Sequence, residues 1–137
     1  MRAPGAPTVT MILGIGTDII EVERIRASHE RFGERFLKRI LRPPEIEYCL
    51  SHTHPAPHLA ARFAAKEAIS KCFGTGIGAQ LGWLDMEVGR HESGQPHVVF
   101  HDGGLALLAA RGGSLVHLSL SHTQNYACAV AVLERQT

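Results

Sequence analysis

The chain is poor in what several functional classes require. Aromatic residues make up only 6% of it and the formal net charge is +1, which argues against a nucleic-acid binder built on a global basic field and base-stacking rings. No apolar run is long enough to span a bilayer. The first ten residues hold one arginine and two prolines but no apolar stretch, so they do not read as a secretory signal. The three cysteines, Cys49, Cys72 and Cys128, are odd in number and include no C-x-x-C pair. That pattern points to reduced thiols in a cytoplasmic protein and not to a disulfide framework. Internal repeats, linkers and low-complexity tracts are also missing. With 137 residues, 45% apolar and 20% charged, what remains is a single soluble domain with a real core. It is expected over residues 11–137, behind a flexible extension at 1–10.

Residues 62–71, Arg-Phe-Ala-Ala-Lys-Glu-Ala-Ile-Ser-Lys, carry the most information. At 100° per residue, Ala61, Ala64, Ala65, Ala68, Ile69 and Cys72 gather on one side of a helix. Arg62, Lys66, Glu67, Ser70 and Lys71 take the other, with Phe63 among them. One carboxylate, several cations and an exposed ring suit a phosphorylated ligand. An ordinary solvated face with a Glu67–Lys71 ion pair fits the same pattern.

Along the chain, the apolar run Ile12–Ile20, broken by Gly14 and Gly16, reads as a buried strand. Residues 21–40 have helical spacing in two pieces around Gly33. Pro43-Pro44 is expected to stop that helix, with a short helix over 45–50 and a loop over 51–57. The long helix runs from about Pro57 to a glycine cap at Gly74. Strands at 85–89 and 97–101 flank a turn at 92–95, a short helix spans 104–111, and strands at 115–120 and 126–133 complete the order. This is an α+β domain, a small, largely antiparallel sheet packed against a long helix and shorter ones.

Among chemical candidates, Asp18 follows the Gly14-Ile-Gly-Thr segment on the first strand, where small residues let a ligand approach the backbone. Asp18 and Glu67 can supply two oxygens to Mg²⁺, which takes one or two carboxylates and completes its shell with water and phosphate. A turn or cap role for Asp18 stands beside this. The Gly74-x-Gly76-x-Gly78 loop follows a helix where a nucleotide fingerprint would open one, and no Gly-Lys-Ser/Thr occurs. Ser121-His122 lacks a G-x-S-x-G elbow, and strand neighbours face opposite ways. A phosphate-contacting His122 is therefore preferred to a serine nucleophile. His52-x-His54-x3-His58 lacks the further ligands of a zinc site and reads as a polar loop. Between Arg24 and Arg42, seven basic residues stand against Glu30 and Glu34, a local excess of five, which suits an acidic partner.

Three blocks in order, Gly14-Ile-Gly-Thr-Asp-Ile-Ile20, Arg62 to Ile77, and Ser119-Leu-Ser-His-Thr123 with Tyr126-Ala127, resemble the holo-[acyl-carrier-protein] synthases. These belong to the 4′-phosphopantetheinyl transferase superfamily. Trp83 to Val88 and Gly94-Gln-Pro96 fit too, and the likeness covers about residues 11–134. The resemblance implies Mg²⁺-dependent transfer of the phosphopantetheine arm of coenzyme A to a serine of an apo acyl carrier protein. Asp18 and Glu67 then match the metal carboxylates, and Arg62, Lys71 and His122 the coenzyme A contacts. Lys71 offsets charge on the leaving group, and Glu67 or a metal-bound water takes the serine proton. Arg24 and Arg31 match carrier-protein docking positions. It also implies a homotrimer with active sites between subunits; the cytoplasmic setting and the absence of a nucleic-acid or membrane partner rest on the composition above. A Mg²⁺-dependent pyrophosphohydrolase and a non-enzymatic binding module are the competing classes.

Overall fold

The computed structural model describes residues 9–137, and residues 1–8 of the expected extension lie outside the described residues. Strand β1 (Thr10–Glu21) leads into helices α1 (Val22–Phe32), α2 (Glu34–Ile40), α3 (Pro43–Leu50) and α4 (Ala56–Cys72). A short 3₁₀ turn at Trp83–Asp85 precedes β2 (Met86–Arg90) and β3 (Pro96–Phe100). Helix α5 (Gly103–Ala110) then leads to β4 (Leu115–His122) and β5 (Tyr126–Gln136).

The strands form two sheets where one was expected. All pairings are antiparallel, in a three-stranded sheet of order β1-β5-β4 and a separate β2-β3 hairpin. The expected α+β class stands. The hairpin closes through Gly94, whose φ of 90° suits glycine. Gly33, at φ 57°, divides α1 from α2 as the sequence suggested.

Two boundaries and one burial pattern differ from expectation. Pro43 does not merely stop the preceding helix: it opens α3. A first-turn amide has no intrahelical partner to lose, and proline's fixed φ already suits the helix. Thr10, assigned to the extension, is already in β1 opposite Gln136. The run Ile12–Ile20 is buried on one face only. Ile15 and Ile19 are 67% and 68% exposed, because helix packing covers only the opposite, inward face of the strand.

That helix is α4, which lies against β1, β5 and β4. Its alanines at 60, 64, 65 and 68 have no exposed surface. Gly14 and Gly16 explain the close approach. A Cβ on Gly14 would sit 1.9 Å from the Cys72 carbonyl oxygen, and one on Gly16 would sit 1.9 Å from that of Ala68. The glycines admit a helix, where the sequence suggested room for a ligand.

The expected two-faced helix is corrected as well. The side of α4 away from the sheet is also buried, under α2, α3 and the 3₁₀ turn. Lys66 is 0% exposed, and its three N–H groups donate to the Ile40 carbonyl (2.7 Å), Glu45 Oε1 (2.8 Å) and the Trp83 carbonyl (3.0 Å). Glu45, 1% exposed, also accepts from the Arg42 and Val88 amides. Burial pushes the Lys66 pKa down and the Glu45 carboxylate pulls it back. Ser70 is buried too, its hydroxyl donating back to the Glu67 carbonyl. Phe63 packs its ring 4.9 Å from that of Trp83. Helix α4 ends as expected, with Gly74 at φ 78° and its amide on the Lys71 carbonyl.

Candidate active site

On the inward face of β1 the alternation runs Gly14, Gly16, Asp18, so the strand residue that follows the two helix-admitting glycines carries a carboxylate. The helix they admit presents Glu67 and Lys71 one turn apart. Lys71 Nζ donates to Asp18 Oδ1 at 3.1 Å and to the Thr17 carbonyl at 3.0 Å. It thus pairs with Asp18, and no Glu67–Lys71 ion pair forms among the described residues. Burial raises the Glu67 pKa above its ordinary range, and the Asp18 carboxylate raises it further against the opposing pull of Lys71. Two carboxylates and an ammonium from distant parts of the chain therefore share one field.

Among the described residues no group of three or more His, Cys, Asp or Glu side chains is arranged to hold a metal ion. The Asp18–Glu67 pair offers only oxygen donors. A hard cation there would need water or ligand oxygens for the rest of its shell, which is how Mg²⁺ prefers to bind. The donor chemistry fits that ion.

Arg62 and His122 belong to a second cluster. Arg62 is five residues before Glu67, about 140° around the helix and ~7.5 Å along it, so the two side chains leave α4 in different directions. Arg62 is 2% exposed, its guanidinium 4.2 Å from the Tyr48 ring centroid, and its Nε finds no partner among the described residues. A cavity of about 350 Å³ is bordered there by Tyr48, His58, Arg62, Arg90, Ser121 and His122. Arg90 also lies against Tyr48, at 5.4 Å. The structure thus brings Asp18, Glu67 and Lys71 together and Arg62 and His122 together, in two separate places.

Tyr48, His58 and Arg90 were missed in the sequence. The His52–His58 spacing was visible but read as a polar loop. The useful signal was that Tyr48, in the last turn of α3, and His52, just beyond the helix, are spaced by about one helical turn. Arg24 and Arg31 are both exposed on α1. Two helical turns separate them, which puts them on one stripe. Just beyond, Ser28, Phe32, Arg35, Phe36 and Arg39 line a groove between α1 and α2.

A profile of the ACPS group of the 4′-phosphopantetheinyl transferase superfamily matches residues 14–131, which spans every residue of both clusters. The chain belongs to this superfamily. A holo-[acyl-carrier-protein] synthase of Koribacter versatilis is 51% identical over 124 residues, covering 90% of this chain and 99% of that protein. The crystal structure of the Neisseria meningitidis holo-[acyl-carrier-protein] synthase superposes with a TM-score of 0.84 at 36% identity, over 90% of this chain and 98% of that one. The Helicobacter pylori enzyme, solved in complex with coenzyme A, gives 0.78 at 32% identity, over 87% and 98%. The α+β architecture is therefore that of the synthases.

Proposed function

We propose that this single domain transfers the 4′-phosphopantetheine arm of coenzyme A to a serine of an apo acyl carrier protein, releasing adenosine 3′,5′-bisphosphate. The observation that carries the proposal is the meeting of Asp18, Glu67 and Lys71 across the β1–α4 contact, within a transferase family. In the reaction the serine oxygen forms a bond to the phosphorus bearing the pantetheine arm. The bridging P–O bond to the nucleotide 5′-phosphate breaks, and its electron pair leaves with the bisphosphate.

Asp18 and Glu67 would hold Mg²⁺, which when bound neutralises phosphoryl charge and orients the pyrophosphate. Lys71, already poised 3.1 Å from Asp18, offsets the charge that grows on the leaving phosphate. A carboxylate oxygen of Glu67 not engaged by the metal would take the serine proton. Arg62 and His122 bind coenzyme A phosphates in the second cavity, whose lining sets the Arg62 and Arg90 guanidiniums against no carboxylate. Arg24 and Arg31 receive the acidic carrier protein, favoured by the basic excess over residues 24–42.

Two separate clusters per chain suit a homotrimer in which each active site combines one subunit's Asp18–Glu67–Lys71 with a neighbour's Arg62–His122. The exposed apolar face carrying Ile15, Ile19 and Val130 supports this assembly. The three cysteines form no disulfide, and no helix of the described residues is long and apolar enough to cross a membrane. Both features suit a cytoplasmic enzyme.

The test is mass spectrometry of apo acyl carrier protein incubated with coenzyme A, Mg²⁺ and the enzyme. A phosphopantetheine mass should appear on the serine, and Asp18→Ala and Glu67→Ala should abolish it. Free phosphopantetheine released with no labelled carrier would instead identify a pyrophosphohydrolase.

A further inference from the structure

His58 stands at the second cavity with chemistry that the transfer reaction has not used. Its ring stacks on His52 at 3.5 Å between centroids, meets Tyr48 edge-on at 6.1 Å, and meets His122 edge-on at 5.1 Å. The His52 Nδ1–H donates to the Tyr48 carbonyl at 2.9 Å, because a carbonyl can only accept, and so the backing ring is fixed in orientation and tautomer. His58 also lies in the first turn of α4, where the helix dipole opposes a positive side chain. The cavity it borders carries the guanidiniums of Arg62 and Arg90 and no carboxylate.

We propose that His58 is a phosphate-binding residue of this cavity, taking up a proton when a phosphomonoester enters and donating a hydrogen bond to it, with His52 holding its ring in place. The proposal rests on the coenzyme A reading above and deepens it by coupling binding to proton uptake.

The groups that face His58 are His52 from the loop after α3, Tyr48 from α3, Arg62 from α4, Arg90 from β2 and His122 from β4. Burial first, then His52, His122, Arg62 and Arg90, hold its pKa down to about 4. Near neutral pH the His58 imidazole is therefore uncharged. A phosphate group would cancel the arginine charges and add an attraction for imidazolium, which moves a pKa upward by roughly 1–3 units. The sign follows: a group whose pKa rises on binding strengthens the complex fully below its free value. That contribution fades as pH climbs through the bound value, so it is lost toward pH 7.

The experiment is an NMR titration of the His58 ring in the full-length protein, its resonance identified by its disappearance in His58→Phe. Without ligand the midpoint should lie well below that of an ordinary histidine. With saturating adenosine 3′,5′-bisphosphate it should rise by ~2 units. In parallel, His58→Phe, which keeps a ring against His52, should bind the bisphosphate several-fold more weakly than wild type at pH 5.5, with the gap closing by pH 8. An unmoved midpoint in a protein that does bind the bisphosphate overturns the role of His58 alone, as do equal affinities at pH 5.5. Failure of the wild-type protein to bind it overturns the coenzyme A reading and this proposal with it.

Discussion

Lys66 and Glu45 form a salt bridge of 2.8 Å in which neither side chain reaches solvent. It joins the middle of α4 to the first turn of α3, and the Lys66 contacts to the Ile40 and Trp83 carbonyls extend the tie to α2 and the 3₁₀ turn. Every ammonium proton has an acceptor, so the charge is accommodated in a site that would otherwise exclude it.

Removing one partner strands the other. Lys66→Met should lower the unfolding free energy by about 3–5 kcal/mol in urea titrations, since Glu45 is left as an uncompensated buried carboxylate. The double variant Lys66→Met with Glu45→Gln should lose less than the sum of the two singles, because the residues act as a unit. Additive losses would mean that the pair is energetically independent.

Gly16→Ala places a methyl 1.9 Å from the Ala68 carbonyl oxygen, which only a shift of α4 or β1 can relieve. Overpacking of this kind costs about 1–3 kcal/mol. Because the same contact juxtaposes Asp18 and Glu67, a shift of about 1 Å should cut transfer by ~10²-fold. Gly112→Ala provides the contrast. Its φ of 69° makes alanine strained by about 1–2 kcal/mol, but only Arg135 side-chain atoms approach its Cβ. The expected result is lower stability with carrier-protein modification intact.

Glu67 ionises at a cost to the folded state, its pKa being raised by burial and by Asp18. For an acid whose folded pKa exceeds its unfolded value, the folded state binds the proton more tightly. Stability therefore falls as pH rises from the unfolded pKa through the folded one, and neutral pH bears the full cost. Glu67→Gln should consequently melt higher than wild type at pH 7 without divalent ions. Added Mg²⁺ should then raise the wild-type melting temperature and leave the variant unchanged. A variant that melts lower, or responds equally to Mg²⁺, would contradict this account.

Arg24→Glu reverses a charge on the exposed stripe it shares with Arg31. The KM for acyl carrier protein should rise by ~10-fold or more at low salt, through like-charge repulsion at the docking face. The KM for coenzyme A should change little. A change confined to coenzyme A would remove α1 from the docking surface.

Much of this was legible in the chain. The order of elements, the break at Gly33, the cap at Gly74 and the hairpin turn at Gly94 all follow from local backbone chemistry, which acts over a few residues. The pairing of Asp18 with Glu67 was expected from their chemistry as oxygen donors, whereas the Lys71 contact to Asp18 was not. Three assignments failed for one shared reason, that the neighbours were remote. Lys66 and Ser70 looked solvated until α2 and α3 covered them. Gly14 and Gly16 suggested space for a ligand until α4 filled it. His58 looked like part of a polar loop until β4 brought His122 to its ring.

The sequence by itself determined the α+β class, the long alanine-rich helix and the residue types of the proposed phosphate-handling site, because periodicity, capping and charge are written locally. Tertiary structure alone decided which polar residues of that helix gather beside the Asp18 carboxylate and which serve the core. Lys71 meets Asp18 because two glycines let the helix approach β1, whereas Lys66, five residues earlier, finds Glu45 and is sealed from water. Neither outcome is encoded in helix periodicity, since each depends on which distant backbone comes close enough to exclude solvent.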